Sequence, residues 1–232
     1  MIIDILLSSY PLFITATFLT LKLTLVALLL GCGVGLIIAF FRISDSKALN
    51  YFAHTYITLI RGTPLIVQIA ILYFGVSSVV TLSQFWAGAI ALAVHNGAYI
   101  AEIFRGGIQS IDRGQMEASR SLGMSYSLAM RRIVLPQAFR RSIPALGNQF
   151  IIGLKDSSLV AYVGMQDLWG TGLSEAASNY RQLETYIVVG LYYLAMILLF
   201  TFFVNKIENK LSTGRASKKS NEGGALKAAK VK

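Results

Sequence analysis

From Pro11 to Phe41 the chain is apolar throughout, interrupted by a single charge, Lys22. About 20 mostly apolar residues suffice for a helix to cross roughly 30 Å of hydrocarbon, so this run commits the chain to a membrane. A secretory leader has a basic start and a shorter apolar core. Here the run follows Met1-Ile2-Ile3-Asp4 and continues far longer, which reads as an uncleaved helix. Further apolar runs cover about 55–80, 84–104, 133–154 and 184–205. The second contains Arg61 and Pro64, and the fourth contains Arg140, Arg141 and Pro144. The expectation is an all-α, polytopic membrane protein of about five transmembrane helices, with four prolines kinking or capping helices rather than interrupting a β-barrel.

Only 14% of the 232 residues are charged, against about a quarter in soluble domains, yet the net charge is +10. Such a balance raises nucleic acid as a partner until the charges are located. In a five-span reading, 17 of the 21 Lys and Arg fall on one side: after the first span, between the third and fourth or in the start of the fourth, and after the fifth. The other side carries Asp4, an uncharged loop at 75–84, and Asp156, Asp167, Glu175 and Glu184. Basic loops stay in the cytoplasm. The N-terminus is therefore expected outside and the C-terminus inside, and the charge reports orientation, with no nucleic acid partner. Residues 1–211 are expected to form the membrane domain, and 212–232 a disordered basic cytoplasmic tail able to touch membrane lipid.

The loop between the third and fourth spans has its own order. Asp112 can cap a helix, with Gln115 placed as in a variant capping box. Ile111, Ala118 and Leu122 recur on one stripe, and Gly123 suits the left-handed residue that ends a helix. A second helix is expected from near Ser125, with Tyr126, Ala129, Met130, Ile133 and Val134 on one face. Two short helices joined by a glycine make either a rigid knob presented to the cytoplasm or an amphipathic segment lying among headgroups.

Several spaced motifs lie on this frame. Glu117-Ala118-Ser119, Gly123, Ile133 and Leu135-Pro136 resemble the Glu-Ala-Ala … Gly … Ile-x-Leu-Pro signature of ABC importer permeases, with Ser119 in place of the second alanine. Arg61-Gly62-Thr63-Pro64-Leu65 with Gln68, His95-Asn96-Gly97-Ala98-Tyr99-Ile100-Ala101-Glu102 with Arg105-Gly106-Gly107, and Lys155-Asp156-Ser157-Ser158-Leu159 resemble the polar amino-acid subfamily of these permeases. The resemblance covers roughly 12–210. It implies a bacterial cytoplasmic-membrane protein whose loop, with Glu117, Ala118, Ser119, Leu122 and Gly123, is a coupling helix docked on a separate ATP-binding cassette ATPase, expected as a homodimer. It also implies a second permease chain, an extracellular solute-binding protein and an amino-acid substrate, with no cofactor.

Ionisable groups within a span are costly and face the bundle interior or a water-filled path. Arg61 beside Gly62 and Pro64 suggests a helix opened at mid-depth, where a guanidinium can engage a carboxylate through two parallel hydrogen bonds. The other reading is a structural kink. Leu65 belongs to the same motif. Asp156 could receive an α-ammonium, with Ser157 beside it, or could be part of a surface turn. Asn96 could hold an amino-acid head group or bond another helix. Tyr99 could wall the cavity or pack. Glu102 and Arg105, three residues apart, are expected to pair. Lys22 is expected to snorkel. His54 and His95 are isolated, so no metal site is expected. The chain has no Gly-x4-Gly-Lys-Ser/Thr loop and no nucleophile–base pair, so it is not expected to be an enzyme. An ion-coupled secondary transporter or a membrane-embedded hydrolase would need no docking loop.

Overall fold

The computed structural model describes residues 2–76 and 79–229, with side chains as far as Lys210. Nearly all described residues are helical and none is in a strand. A short α1 (Ile2–Ser8) leads into α2 (Tyr10–Ile43). Threonines in so apolar a helix satisfy themselves locally, as where Thr20 and Thr24 hydroxyls donate to the carbonyls four residues back. α3 (Lys47–Gly62) and α4 (Leu65–Ala70) follow, the latter running on through a π turn, Ile71–Gly75. Next come α5 (Gln84–Gln109), α6 (Arg113–Ser121) and α7 (Tyr126–Ala129), the last followed by a π turn at Met130–Val134. α8 (Leu135–Asp156) continues as a 3-10 helix, Ser157–Val163. α9 (Leu168–Asn179) and α10 (Gln182–Ala229) complete the chain. The disordered tail expected over 212–232 falls outside the described side chains.

Among the described residues three helices are long and apolar enough to cross a membrane alone: α2, α5 and the Gln182–Lys210 part of α10. α3 and α4 with its π turn form a fourth only if counted together, because the chain bends by 104° between them. The expected fourth span, α8, does not qualify by composition, since it carries Arg140, Arg141, Lys155 and Asp156.

Helix directions follow from contact registers. Gly31 of α2 lies against Ala93 and Asn96, and Gly35 against Gly97 and Ile100, so α2 and α5 run parallel. α8 and its 3-10 extension run antiparallel to α5 along its whole length, pairing Gly107 with Ser142, Asn96 with Gln149, and Gly88 with Val160. α10 is antiparallel to α8, with Gly147 against Val204 and the Phe150 and Phe200 rings 4.4 Å apart. Among lipid tails helices gain little from hydrophobicity, and small residues that let backbones approach do the work. A Cβ at Gly35 would stand 2.6 Å from Ile100 Cγ2. α5 is the central helix: 67% of its apolar window is buried, against 17% for α10, which faces outward.

The segment between α8 and α10 folds as the 3-10 turn plus α9. Asp167 caps α9, accepting from Gly170 N at 2.9 Å, and the Leu168 N–H donates to Thr20 Oγ1 at 2.9 Å. Asp167 is fully buried, and the Tyr193 hydroxyl lies beside its carboxylate. Burial pushes the Asp167 carboxyl up to about 6, against the pull of backbone N–H donors at Gly170 and Trp169.

Candidate functional site: a broken helix above a docking elbow

The break between α3 and α4 is built by Pro64 and repaired by Gln68. Proline has no N–H, so the Ile60 carbonyl loses the donor it would have four residues on. Gln68 Nε2 supplies it, donating to Ile60 O at 2.8 Å, to Thr63 Oγ1 at 2.8 Å and to Thr63 O at 3.2 Å. With its NH2 turned toward these acceptors, Gln68 presents Oε1 to His95 Nδ1 at 3.2 Å. An amide oxygen only accepts, so His95 Nδ1 is the donor in this contact. Neither residue's part in the break is evident from the motifs that contain them. A signal for Gln68 lies in the spacing: a glutamine one turn after a helix-interior proline. No cluster of potential metal ligands exists among the described residues.

Arg61 sits at the last turn of α3, exposed, with its guanidinium 5.0 Å from the Tyr99 ring centroid. This cation–π contact holds it against α5, and Tyr99 in turn leans on His95 at 5.2 Å. Glu102, one turn along, is taken: Arg105 grips it through Nη2 at 2.7 Å and Nε at 3.1 Å, the pair expected from the spacing. Arg61 therefore has no ion-pair partner among the described residues.

The other expected site residues divide. Leu65 is buried, packing with Ile69 and Val160 in the apolar core. Asn96 is 1% exposed, and its Oδ1 accepts from Gln149 Nε2 at 2.8 Å, which is the helix–helix alternative rather than an open binding position. Ser157 is fully buried and donates to Leu154 O at 2.7 Å. Asp156 is half-buried, and no hydrogen bond or ion pair joins it to Arg61 among the described residues. Arg61 and Tyr99 thus meet at the break, while Leu65, Asn96 and Ser157 lie inside the packing. Lys22 reaches the Phe85 ring at 5.5 Å.

At the far end of α5 the expected elbow is present. Asp112 caps α6, accepting from Gly114 N at 2.7 Å. Gly123 has φ +80°, with Gly123 N donating to Arg120 O and Met124 N to Ser119 O, the paired bonds that close a helix through a left-handed residue. Ser125 then caps α7 through Leu128 N. The elbow is pinned to α8 by Arg141, which donates to Ser110 O, and by Gln137, which donates to Gln115 Oε1 at 3.5 Å. The anticipated capping box is not formed by Gln115.

The anticipated stripe also needs correction. The inward face is Ile111, Met116 and Ser119 against Met130 and Val134. Ala118 and Leu122 point outward with Glu117, and Leu122 is 85% exposed. Periodicity placed apolar residues at helical spacing, but the turn at Gly123 decides which of them meet α8. Among the described residues Leu122 thus stands uncovered on a knob whose two helices are each capped.

Residues 27–213 match the family of binding-protein-dependent transport system inner membrane components. The chain belongs to that family. It is 35% identical over 205 residues to the arginine transport system permease protein ArtQ of Bacillus subtilis, covering 88% of this chain and 94% of ArtQ. It is 36% identical over 204 residues to the glutamine transport system permease protein GlnP of Escherichia coli, covering 87% and 93%. Among solved structures, an amino acid ABC transporter with histidines is 41% identical, with TM-score 0.84 over 88% of this chain and 96% of the other. The chain is a permease subunit of an ATP-driven importer, and the family's ATPase is a separate chain. A gradient-driven transporter or a hydrolase is not favoured.

Proposed function

We propose that this permease carries an amino acid along a path walled by the α3–α4 break, with Arg61 receiving the α-carboxylate and Tyr99 holding the guanidinium in place. The carrying observation is a guanidinium that makes no ion pair among the described residues, beside a helix opened by proline and stabilised by Gln68 and His95. A carboxylate fits this fork in two parallel hydrogen bonds. Asp156 is assigned to the α-ammonium, meeting it only when α3 and α8 approach during the cycle. Asn96, Leu65 and Ser157 support the path from within the packing.

Five crossings account for the registers: α2, α5 and α10 run one way, and α8 and the bent α3–α4 pair return. α8 belongs among them because it shadows α5 from end to end. The N-terminus is then outside and the basic loops are cytoplasmic, in the inner membrane of a bacterium, with 1–211 as the permease body. The α6–α7 elbow, through Glu117, Ala118, Ser119, Leu122 and Gly123, docks a homodimeric ATPase. A second permease chain completes the path, and a solute-binding protein delivers the substrate from outside. Nucleotide bound preferentially to one state shifts the permease between outward- and inward-open forms.

The test uses the assembled transporter and a panel of amino acids paired with their decarboxylated amines. Amino acids should stimulate ATP hydrolysis and the amines should not. Arg61→Ala should reduce that difference to nothing, and an Arg61→Ala complex that still discriminates would remove Arg61 from the substrate.

A further inference from the structure

The turn joining α2 to α3 serves neither the path nor the docking elbow, yet it encloses an open cavity of about 400 Å³. Its lining includes Arg42, Asp45, Lys47, Asn50, Tyr51 and His54. That volume lies within the range of small-ligand sites, about 300–1,000 Å³. Arg42 is preset: its Nη1 donates to Asn50 Oδ1 at 2.9 Å, and Asn50 Nδ2 donates back to Arg42 O at 2.7 Å. Asp45 is the one acid in the lining, and no ion pair joins it to Arg42 or Lys47 among the described residues. Among the described residues neither Arg42 nor Lys47 makes an ion pair, although the Glu102 carboxylate lies within electrostatic reach of Arg42.

Depth comes from a separate observation. The apolar run of α2 ends at Phe41, immediately before Arg42, and Tyr51 and Phe52 are exposed at 74% and 56%. Outward aromatics beside the end of an apolar helix mark the headgroup layer. In the five-crossing reading, on which this inference rests, the layer is the cytoplasmic leaflet side, where anionic lipids gather basic groups.

We propose that this cavity binds a phosphate group, supplied by the headgroup of an anionic phospholipid, with Arg42 and Lys47 as donors and His54 closing the far side. The Arg42–Asn50 clamp orients the guanidinium so that its remaining N–H groups face the phosphate. Lys47 opposes it as a mobile point charge. A bound lipid would then brace the α2–α3 turn, and α3 carries Arg61 at its other end.

The experiment is native mass spectrometry of the full transporter, delipidated in detergent and then supplied with phosphatidylglycerol, phosphatidylcholine or inorganic phosphate. The expected result is retention of phosphatidylglycerol about tenfold above phosphatidylcholine. Lys47→Gln, which leaves the Arg42–Asn50 clamp intact, and Arg42→Gln should each lower that retention at least fivefold while the complex stays assembled. Equal retention of the two lipids, or retention unaffected by both substitutions, overturns the proposal. Inorganic phosphate bound as tightly as phosphatidylglycerol, and displacing it, overturns the lipid as source. A parallel measurement isolates the topology: Ser46→Cys in a Cys32→Ser background should react with an impermeant maleimide only from the cytoplasmic side. Labelling from outside would refute the five-crossing reading itself, independently of lipid retention.

Discussion

Replacing Gln68 by leucine tests the broken helix at its weakest joint. The substitution keeps the apolar stem and removes the side-chain donor to Ile60 O, together with a bond to each of Thr63 O and Thr63 Oγ1. A buried acceptor stripped of its donor costs about 1–3 kcal/mol. The Ile60 bond is half-buried and the Thr63 bonds are exposed, so the lower end applies, roughly 2 kcal/mol in all. That corresponds to about a thirtyfold shift in an equilibrium. The bent form should lose to straighter ones, and Arg61 should leave the face of Tyr99. In proteoliposomes holding the full transporter, substrate-stimulated ATP hydrolysis should fall with a raised KM, and the melting temperature should drop. Gln68→Glu has the same shape but no donor when ionised, and should fail in the same way. Adding Pro64→Ala to Gln68→Leu returns an N–H to position 64. It should recover stability by straightening the helix without recovering transport. Wild-type KM in both Gln68 variants would refute the role given to this side chain.

Leu122→Asp should leave the fold intact, since Leu122 is 85% exposed, while weakening ATPase binding about tenfold as a lost interface anchor; co-purification of permease and ATPase measures it. Gly35→Val should cost about 1–3 kcal/mol by forcing α2 from α5, read as a lowered melting temperature, because even a Cβ would meet Ile100 at 2.6 Å. Asp167 gives a pH dependence. Its carboxyl is raised from 3.8 to about 6 in the fold, so the folded state holds the proton more tightly. Stability should be greatest below about pH 4, fall between pH 4 and 6, and stay reduced above that, by on the order of 3 kcal/mol. Asp167→Asn keeps the cap on Gly170 and removes the buried charge. It should raise the melting temperature at pH 8 and flatten the profile, and an unchanged profile would contradict the assignment.

Much of this was legible in the sequence because the signals were local. The Pro11–Phe41 run, the Pro64 break, the Asp112 and Ser125 caps and the left-handed Gly123 each follow from a few neighbouring residues. What was lost depended on which helices meet. Asn96 is a polar residue inside a span, and only the placement of Gln149 on α8 turns it from a ligand position into a helix contact. Leu122 shares a stripe with Ile111, but the elbow turns Ile111 inward and Leu122 out. Ser157 reads as a polar neighbour of Asp156, and the 3-10 turn buries it. Gln68 was visible in its motif, and its partners were the carbonyls that proline had orphaned.

The most direct measurement is accumulation of labelled amino acids by proteoliposomes containing the permease, its ATPase and its binding protein, with ion gradients collapsed by ionophores. Uptake should require ATP on the face that carries the α6–α7 elbow and binding protein on the opposite face, and should vanish in the Leu122→Asp complex. Accumulation that persists without ATP, or that collapses with the ion gradients while ATP remains, would contradict an ATP-driven importer.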